Sequence, residues 1–150
     1  MMKEDFDLVP AVEDYCRTLA ERARIQVAFA RDGQARPMSS ESALTIFRTL
    51  QEALANATRH GGASQVDVKL EFEVDRLLMT VRDNGGGFDP RASKDGHYGL
   101  ANMGERARKV GGSLDVDSAP GRGTLIALQI PYRTGQSGIW GVGQVSEGEA

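Results

Sequence analysis

Apolar positions along the chain switch repeatedly between a helical and an alternating rhythm, and the switches outline the fold. Val12, Tyr15, Cys16, Leu19, Ala20 and Ala23 recur at helical spacing and predict an amphipathic helix over residues 10–23. Pro10 suits its first turn, where a missing N–H costs nothing. Ile25, Val27 and Phe29 then alternate, a strand that ends near the turn formers Asp32 and Gly33. Ser39 or Ser40 can cap a long helix from Glu41 to His60, with Phe47, Leu50 and Leu54 as its apolar stripe and Gly61-Gly62 as its stop. Val66, Val68, Leu70 and Phe72 alternate again, and a second strand from Leu77 to Arg82 makes a hairpin with them. Asp83 to Tyr98 is a Gly-rich, charged loop without periodicity. A third helix follows, with Leu100, Met103, Ala107 and Val110 on one face and Gly111-Gly112 as its end. SLDVDS and TLIALQIPY are two further strands, joined by the tight turn APGRG. The order predicts an α+β fold, a two-layer sandwich in which a mixed sheet of about five strands is covered on one face by about three helices. Residues 133–150, Gly-rich and polar with a lone Trp140, read as a flexible tail.

Composition narrows the partners more than the fold. A net charge of -3 and scattered Arg and Lys give no footprint for nucleic acid. No apolar run approaches the ~20 residues that cross a bilayer, and the start MMKEDFDL lacks a signal-peptide apolar region, so a cytoplasmic domain without membrane contact is expected. The single Cys16 sits in the apolar pattern of the first helix and reads as a buried thiol.

Chemistry gathers in four short segments. On the long helix, Glu52, Asn56, Arg59 and His60 fall in one polar stripe, away from the apolar one. An amide oxygen that can ligate magnesium, a carboxylate that can hold its waters, and two cations for phosphate oxygens suit a metal–triphosphate. The same stripe also fits an ordinary solvated face. Asp83 falls in phase with Leu77, Met79 and Val81, and an inward carboxylate needs donors, such as the exocyclic amine of adenine. The run Asn84-Gly85-Gly86-Gly87-Phe88 behind it exceeds what a simple Asp-Gly turn requires, and would let a flat ring approach the backbone. Gly99-Leu100 opens a helix after a loop, where free N–H groups can meet phosphate. Gly121-Arg122-Gly123-Thr124 joins two strands, and taken alone reads as a tight hairpin. No GxxxxGK[ST] loop and no GxGxxG after a strand is present, which excludes P-loop and Rossmann nucleotide sites.

Together these segments resemble the GHKL ATPase superfamily, and most closely the catalytic, ATP-binding domain of NarL/DesK-type sensor histidine kinases. QEALANATRHGGASQVDV looks like the N box, VRDNGGGFDP like the G1 box, GLANMGERARKVGGSL like the G2 region and GRGT like the final glycine–threonine motif. The boxes come in the family's order, and the similarity spans residues 5–132. The resemblance implies the Bergerat α/β sandwich with ATP and magnesium as cofactors. It implies that Asn56 ligates magnesium, that Glu52 orients a metal-bound or attacking water, and that Arg59 and His60 face the phosphates. It further implies that Asp83 accepts from the adenine amine, partly through water shared with Thr124, beside Gly123. Gly85 and Gly87 would give the ring room, and Phe88 to Tyr98 would form a lid. Gly99 and Leu100 would close the lid's far end, and Met103 would pack near the nucleoside.

In this family the phosphoacceptor histidine lies on a helical dimerisation segment before the ATP-binding domain. The two histidines here, His60 and His97, belong to the N box and the lid. The expected function is therefore that of a monomeric catalytic fragment. It binds Mg-ATP, transfers the γ-phosphoryl to a histidine on a separate helical dimerisation and phosphoacceptor domain, and thereby serves a response regulator. Two alternatives share these boxes, a free-standing anti-sigma-factor-type serine kinase and a non-catalytic interaction module. Intact Glu52, Asn56 and Asp83 count against the second.

Overall fold

The computed structural model describes residues 7–60, 62–88 and 97–132. Its element order is α1 (Leu8–Ala23), β1 (Gln26–Asp32), α2 (Ser40–Ala55), a π-helical turn (Asn56–His60), β2 (Gln65–Phe72), β3 (Arg76–Asp83), α3 (His97–Lys109), β4 (Ser113–Ser118) and β5 (Thr124–Pro131). The expected tail after Tyr132, residues 5 and 6, Gly61 and lid residues 89–96 lie outside the described residues.

The strands form one sheet in the order β1-β2-β3-β5-β4. β1 runs parallel to β2, which requires the crossover through α2, and every other pair is antiparallel. The mixed sheet and its helical layer are the α+β sandwich that the pattern predicts. Alternation decides which face each strand buries. Val66, Val68 and Leu70 of β2, Leu77, Met79 and Val81 of β3, and Ile126, Leu128 and Ile130 of β5 are buried with Leu50, Leu54 and Met103 of the helices in one cluster. Truncating a fully buried member such as Leu50 to alanine costs about 2–5 kcal/mol, transfer and cavity terms together.

The ends of the helices follow from local chemistry. Ser39 caps α2, its Oγ accepting from the Ser42 N–H at 3.0 Å. α3 ends in a Schellman arrangement: Gly112 N–H bonds Ala107 O at 2.8 Å, Gly111 N–H bonds Arg108 O at 3.0 Å, and Gly111 takes φ +82°.

Two expectations need correction. The long helix is not α-helical from Glu41 to His60. It stays α-helical to Ala55 and then widens into a π-turn over Asn56–His60. The wider turn is held where Ala57, itself buried, accepts from the Ala63 N–H at 3.0 Å across the glycine pair, so the chain unwinds gradually into β2. The buried stripe of α2 is also broader than Phe47, Leu50 and Leu54. It centres on Ile46, Leu50, Ala53 and Leu54, and Phe47 sits at its margin, edge-on to Tyr15 at 5.5 Å.

Candidate nucleotide site

Three polar residues continue the inward apolar alternation of three neighbouring strands at the same end of the sheet. Asp83 follows Val81 on β3, Thr124 precedes Ile126 on β5, and Ser118 follows Val116 on β4. Register places them in one row, Asp83 opposite Thr124 and Thr124 opposite Ser118. The next row inward, Val81, Ile126 and Val116, is wholly apolar. All three polar residues are partly buried. A polar row on the helix-facing side is costly in a closed core, and is explained where a polar ligand meets the sheet's end.

Hydrogen bonds fix this row. Asp83 Oδ1 accepts from the Gly85 N–H at 2.8 Å, and among the described residues no side chain donates to this carboxylate. Ser118 Oγ is 2.8 Å from Thr124 Oγ1, donates to Gly123 O at 3.0 Å and accepts from the Phe88 N–H at 3.0 Å. Ser118 therefore ties the glycine segment after β3 to the β4–β5 turn. Sequence reasoning passed over it, although its phase with Leu114 and Val116 is the same signal that marks Asp83.

The glycines serve backbone approach. A Cβ at Gly123, which has φ +72°, would lie 2.2 Å from Asp83 O. One at Gly87, with φ +67°, would lie 2.1 Å from Ala119 O and 2.8 Å from Gly123 O. The space that Gly87 leaves open is thus filled by the facing turn, not held free for a ring. The Gly121 N–H closes the same contact onto Gly86 O. A cleft of about 210 Å3 at this end is lined by Asp83, Ser118, Gly123 and Thr124 among others.

Asn84, which the sequence shows only as the start of the glycine run, anchors the segment on its other side. Its Oδ1 accepts from the Ser64 and Gln65 N–H groups at 2.9 and 3.1 Å, and its Nδ2 donates to Ser64 Oγ at 3.1 Å. Because β2 begins at Gln65, just after the π-turn, Asn84 ties the end of the N-box helix to the glycine segment. Asn56 and Glu52 are partly buried and Arg59 is exposed. The described side chains do not include His60 or His97. Gly99 and Leu100 lie in the first turn of α3, with Leu100 packed partly against the core, and Met103 is fully buried in it. Phe88 is partly buried.

Among the described residues no cluster of three His, Cys, Asp or Glu is placed to hold a metal. Glu52 and Asn56, one turn apart, offer hard oxygen donors that fit an ion keeping its waters and taking phosphate oxygens, as magnesium does. A larger groove of about 620 Å3, lined by residues such as Leu8, Arg36, Pro37 and Phe72, lies at the opposite end of β2 from Val66, the Asp83 partner. Among the described residues no helix is long and apolar enough to cross a membrane.

Residues 41–134 match the family described as histidine kinase-, DNA gyrase B- and HSP90-like ATPases. The signal transduction histidine-protein kinase/phosphatase DegS of Brevibacillus brevis is 35% identical over 134 residues, covering 89% of this chain and 35% of DegS. The sensor histidine kinase LiaS of Bacillus subtilis (strain 168) is 44% identical over 86 residues, covering 57% of this chain and 24% of LiaS. The chain spans about a third or less of the length of these relatives. In fold it is similar to full-length ShkA, solved in complex with AMPPNP, with TM-score 0.70 and 21% identity over 86% of this chain and 31% of that one.

Proposed function

This chain belongs to the histidine kinase-, DNA gyrase B- and HSP90-like ATPases, and from that membership we propose that it is the ATP-binding catalytic domain of a sensor histidine kinase. In this reading it binds Mg-ATP and passes the γ-phosphoryl to a histidine on a separate helical dimerisation domain, which in turn supplies a response regulator. The observation that carries the nucleotide reading is the polar row Asp83–Thr124–Ser118 at the helix-facing end of an otherwise apolar sheet. The named activities of DegS and LiaS, both histidine kinases, favour this over a serine kinase. A cytoplasmic location goes with an ATP-consuming domain.

The residues divide the work by chemistry. Asp83 accepts from the adenine amine with the capacity that Gly85 leaves unused, and Thr124 supports it through its hydroxyl. Asn56 offers its amide oxygen to magnesium, and Glu52 orients the group that attacks phosphorus. Arg59 and His60 meet phosphate charge, Gly99 and Leu100 present the N-terminal N–H groups of α3, and Met103 and Phe88 supply apolar surface near the nucleoside. Magnesium, when bound, neutralises charge between phosphate oxygens. Catalysis is then chiefly positioning, since the phosphoryl transition state is loose and asks for little covalent help from the protein.

Titration of the purified protein with a fluorescent ATP analogue, with and without magnesium, tests the reading. Magnesium-dependent saturation in the micromolar range is expected. No binding at high micromolar protein, or binding that survives Asn56→Asp and Asp83→Asn together, rejects it.

A further inference from the structure

Glu52 finds a cationic neighbour not on its own helix but on α3. Arg106 Nη2 lies 3.9 Å from Glu52 Oε2, with the two side chains 27% and 39% exposed. That is ion-pair distance, too long for a hydrogen bond. The other arm of the fork, Nη1, is buried and has no hydrogen-bond partner among the described residues. The placement follows from helical phase. Met103 and Ala107 form the buried face of α3, continued by Val110 just past its end, and Arg106 lies on the flank beside Ala107 toward α2, whereas Arg108 and Lys109 are exposed. A guanidinium presents a rigid planar fork that suits a carboxylate through two parallel bonds. Here the fork has one arm near a carboxylate and the other in need of an acceptor.

We propose that Arg106 is the positioning residue for Glu52, closing on its carboxylate and holding it in the orientation that phosphoryl transfer needs. The inference rests on the role proposed above for Glu52. Both residues line a cleft of about 270 Å3 on the outer side of α2, together with Leu44, Arg48 and Gln51. Arg48 is the other cation of that cleft, but it is exposed and has no ion pair among the described residues, so it serves as the control. An arginine on α3 that fixes an acid on α2 also couples the N-box helix to the helix that opens the G2 region.

The test is a double-mutant cycle on the whole chain, read in ATP hydrolysis, in which water replaces the histidine as phosphoryl acceptor, and in thermal unfolding. Arg106→Gln should lower kcat about tenfold or more while KM and fluorescent-analogue affinity stay within about twofold. Arg48→Gln should leave all three unchanged, and Arg106→Lys, which keeps the charge but not the fork, should fall between. Adding Arg106→Gln to Glu52→Gln should slow turnover no further than Glu52→Gln alone, because the arginine acts through the acid. In unfolding, the double variant should melt about 2–4 °C above the sum of the single shifts. Fully multiplicative losses in kcat, or additive melting shifts, overturn the proposal. Should Arg106→Gln fail to fold, Arg106→Lys takes its place in both cycles. A wild type that never binds Mg-ATP defeats the nucleotide reading, and the melting cycle still decides the pairing.

Discussion

Thr124 stands between two polar neighbours of the sheet's last inward row: its hydroxyl is 2.8 Å from Ser118 Oγ, and across β3–β5 it is paired with Asp83. Asp83 is the member of that row with acceptor capacity to spare, since only the Gly85 N–H is bonded to it among the described residues. Asp83→Asn keeps an oxygen for Gly85 but replaces the other acceptor with a donor that opposes the adenine amine. ATP affinity should fall at least tenfold, about 1.4 kcal/mol or more, while the melting temperature moves by no more than a few degrees. Calorimetric titration and a melt on the same sample check both halves.

Ser118 should report on the site differently. Alanine there removes the acceptor of the Phe88 N–H and the partner of Thr124 Oγ1 at once. The loss is about 1–3 kcal/mol of stability for the unsatisfied groups, with a smaller loss of nucleotide affinity because Asp83 is untouched. Ser118→Thr, which keeps the hydroxyl, should recover much of the stability in urea unfolding.

Asn84 and Asp83 are adjacent but should separate cleanly. Asn84→Ala deletes three side-chain hydrogen bonds to Ser64 and Gln65, in an exposed setting where water competes. About 1–2 kcal/mol of stability should go, with hydrogen exchange at the Gln65 amide speeding up before that of the buried strands. ATP affinity should change less than in Asp83→Asn.

The sequence pattern was sufficient for the three α-helices and five strands because each has its own period: Val66, Val68 and Leu70 mark a half-buried strand, and Met103 and Ala107 a helix face. It also marked Asp83, whose phase with Val81 needs no tertiary knowledge. The π-turn at Asn56–His60 escaped it, since the same residues satisfy an α-helical stripe and their spacing carries no mark of the wider turn. The contact between Gly87 and Ala119 escaped it too, because 32 positions of sequence separate two segments that meet only once the sheet has closed. Nothing in the sequence sets Arg106 apart from the other charges of its helix, and only the packing of α3 against α2 brings it to Glu52. The site roles themselves came from resemblance and not from periodicity.

Two glycines of one turn give a contrast in which conformation and space separate. Gly121 and Gly123 both have positive φ, +80° and +72°. Around a Cβ at Gly121 nothing lies within 4 Å, whereas at Gly123 Asp83 O would be 2.2 Å away. Gly121→Ala should cost about 1–2 kcal/mol, the left-handed penalty alone. Gly123→Ala should cost more than about 3 kcal/mol, because backbone and not a flexible side chain would have to move, and it should shift the Asp83 carbonyl and so weaken ATP binding too. Equal melting temperatures for the two variants would show that the turn does not press on β3.

Cys16 gives a pH prediction with a defined sign. Burial first, and the nearby Glu13 carboxylate second, push its thiol from 9.0 up to about 12. The folded protein thus holds this proton more tightly than the unfolded chain does. The resulting stability is fully present below about pH 9 and is lost as pH rises toward about 12. At pH 8 the thiolate, the reactive form, is scarce in the folded state. Iodoacetamide should therefore label native protein at a rate set by opening of the packing between α1 and α2, and saturating nucleotide should slow that labelling only as far as it suppresses global unfolding. Rapid labelling of native protein at pH 8, at the rate of a free thiol, would place Cys16 outside the core.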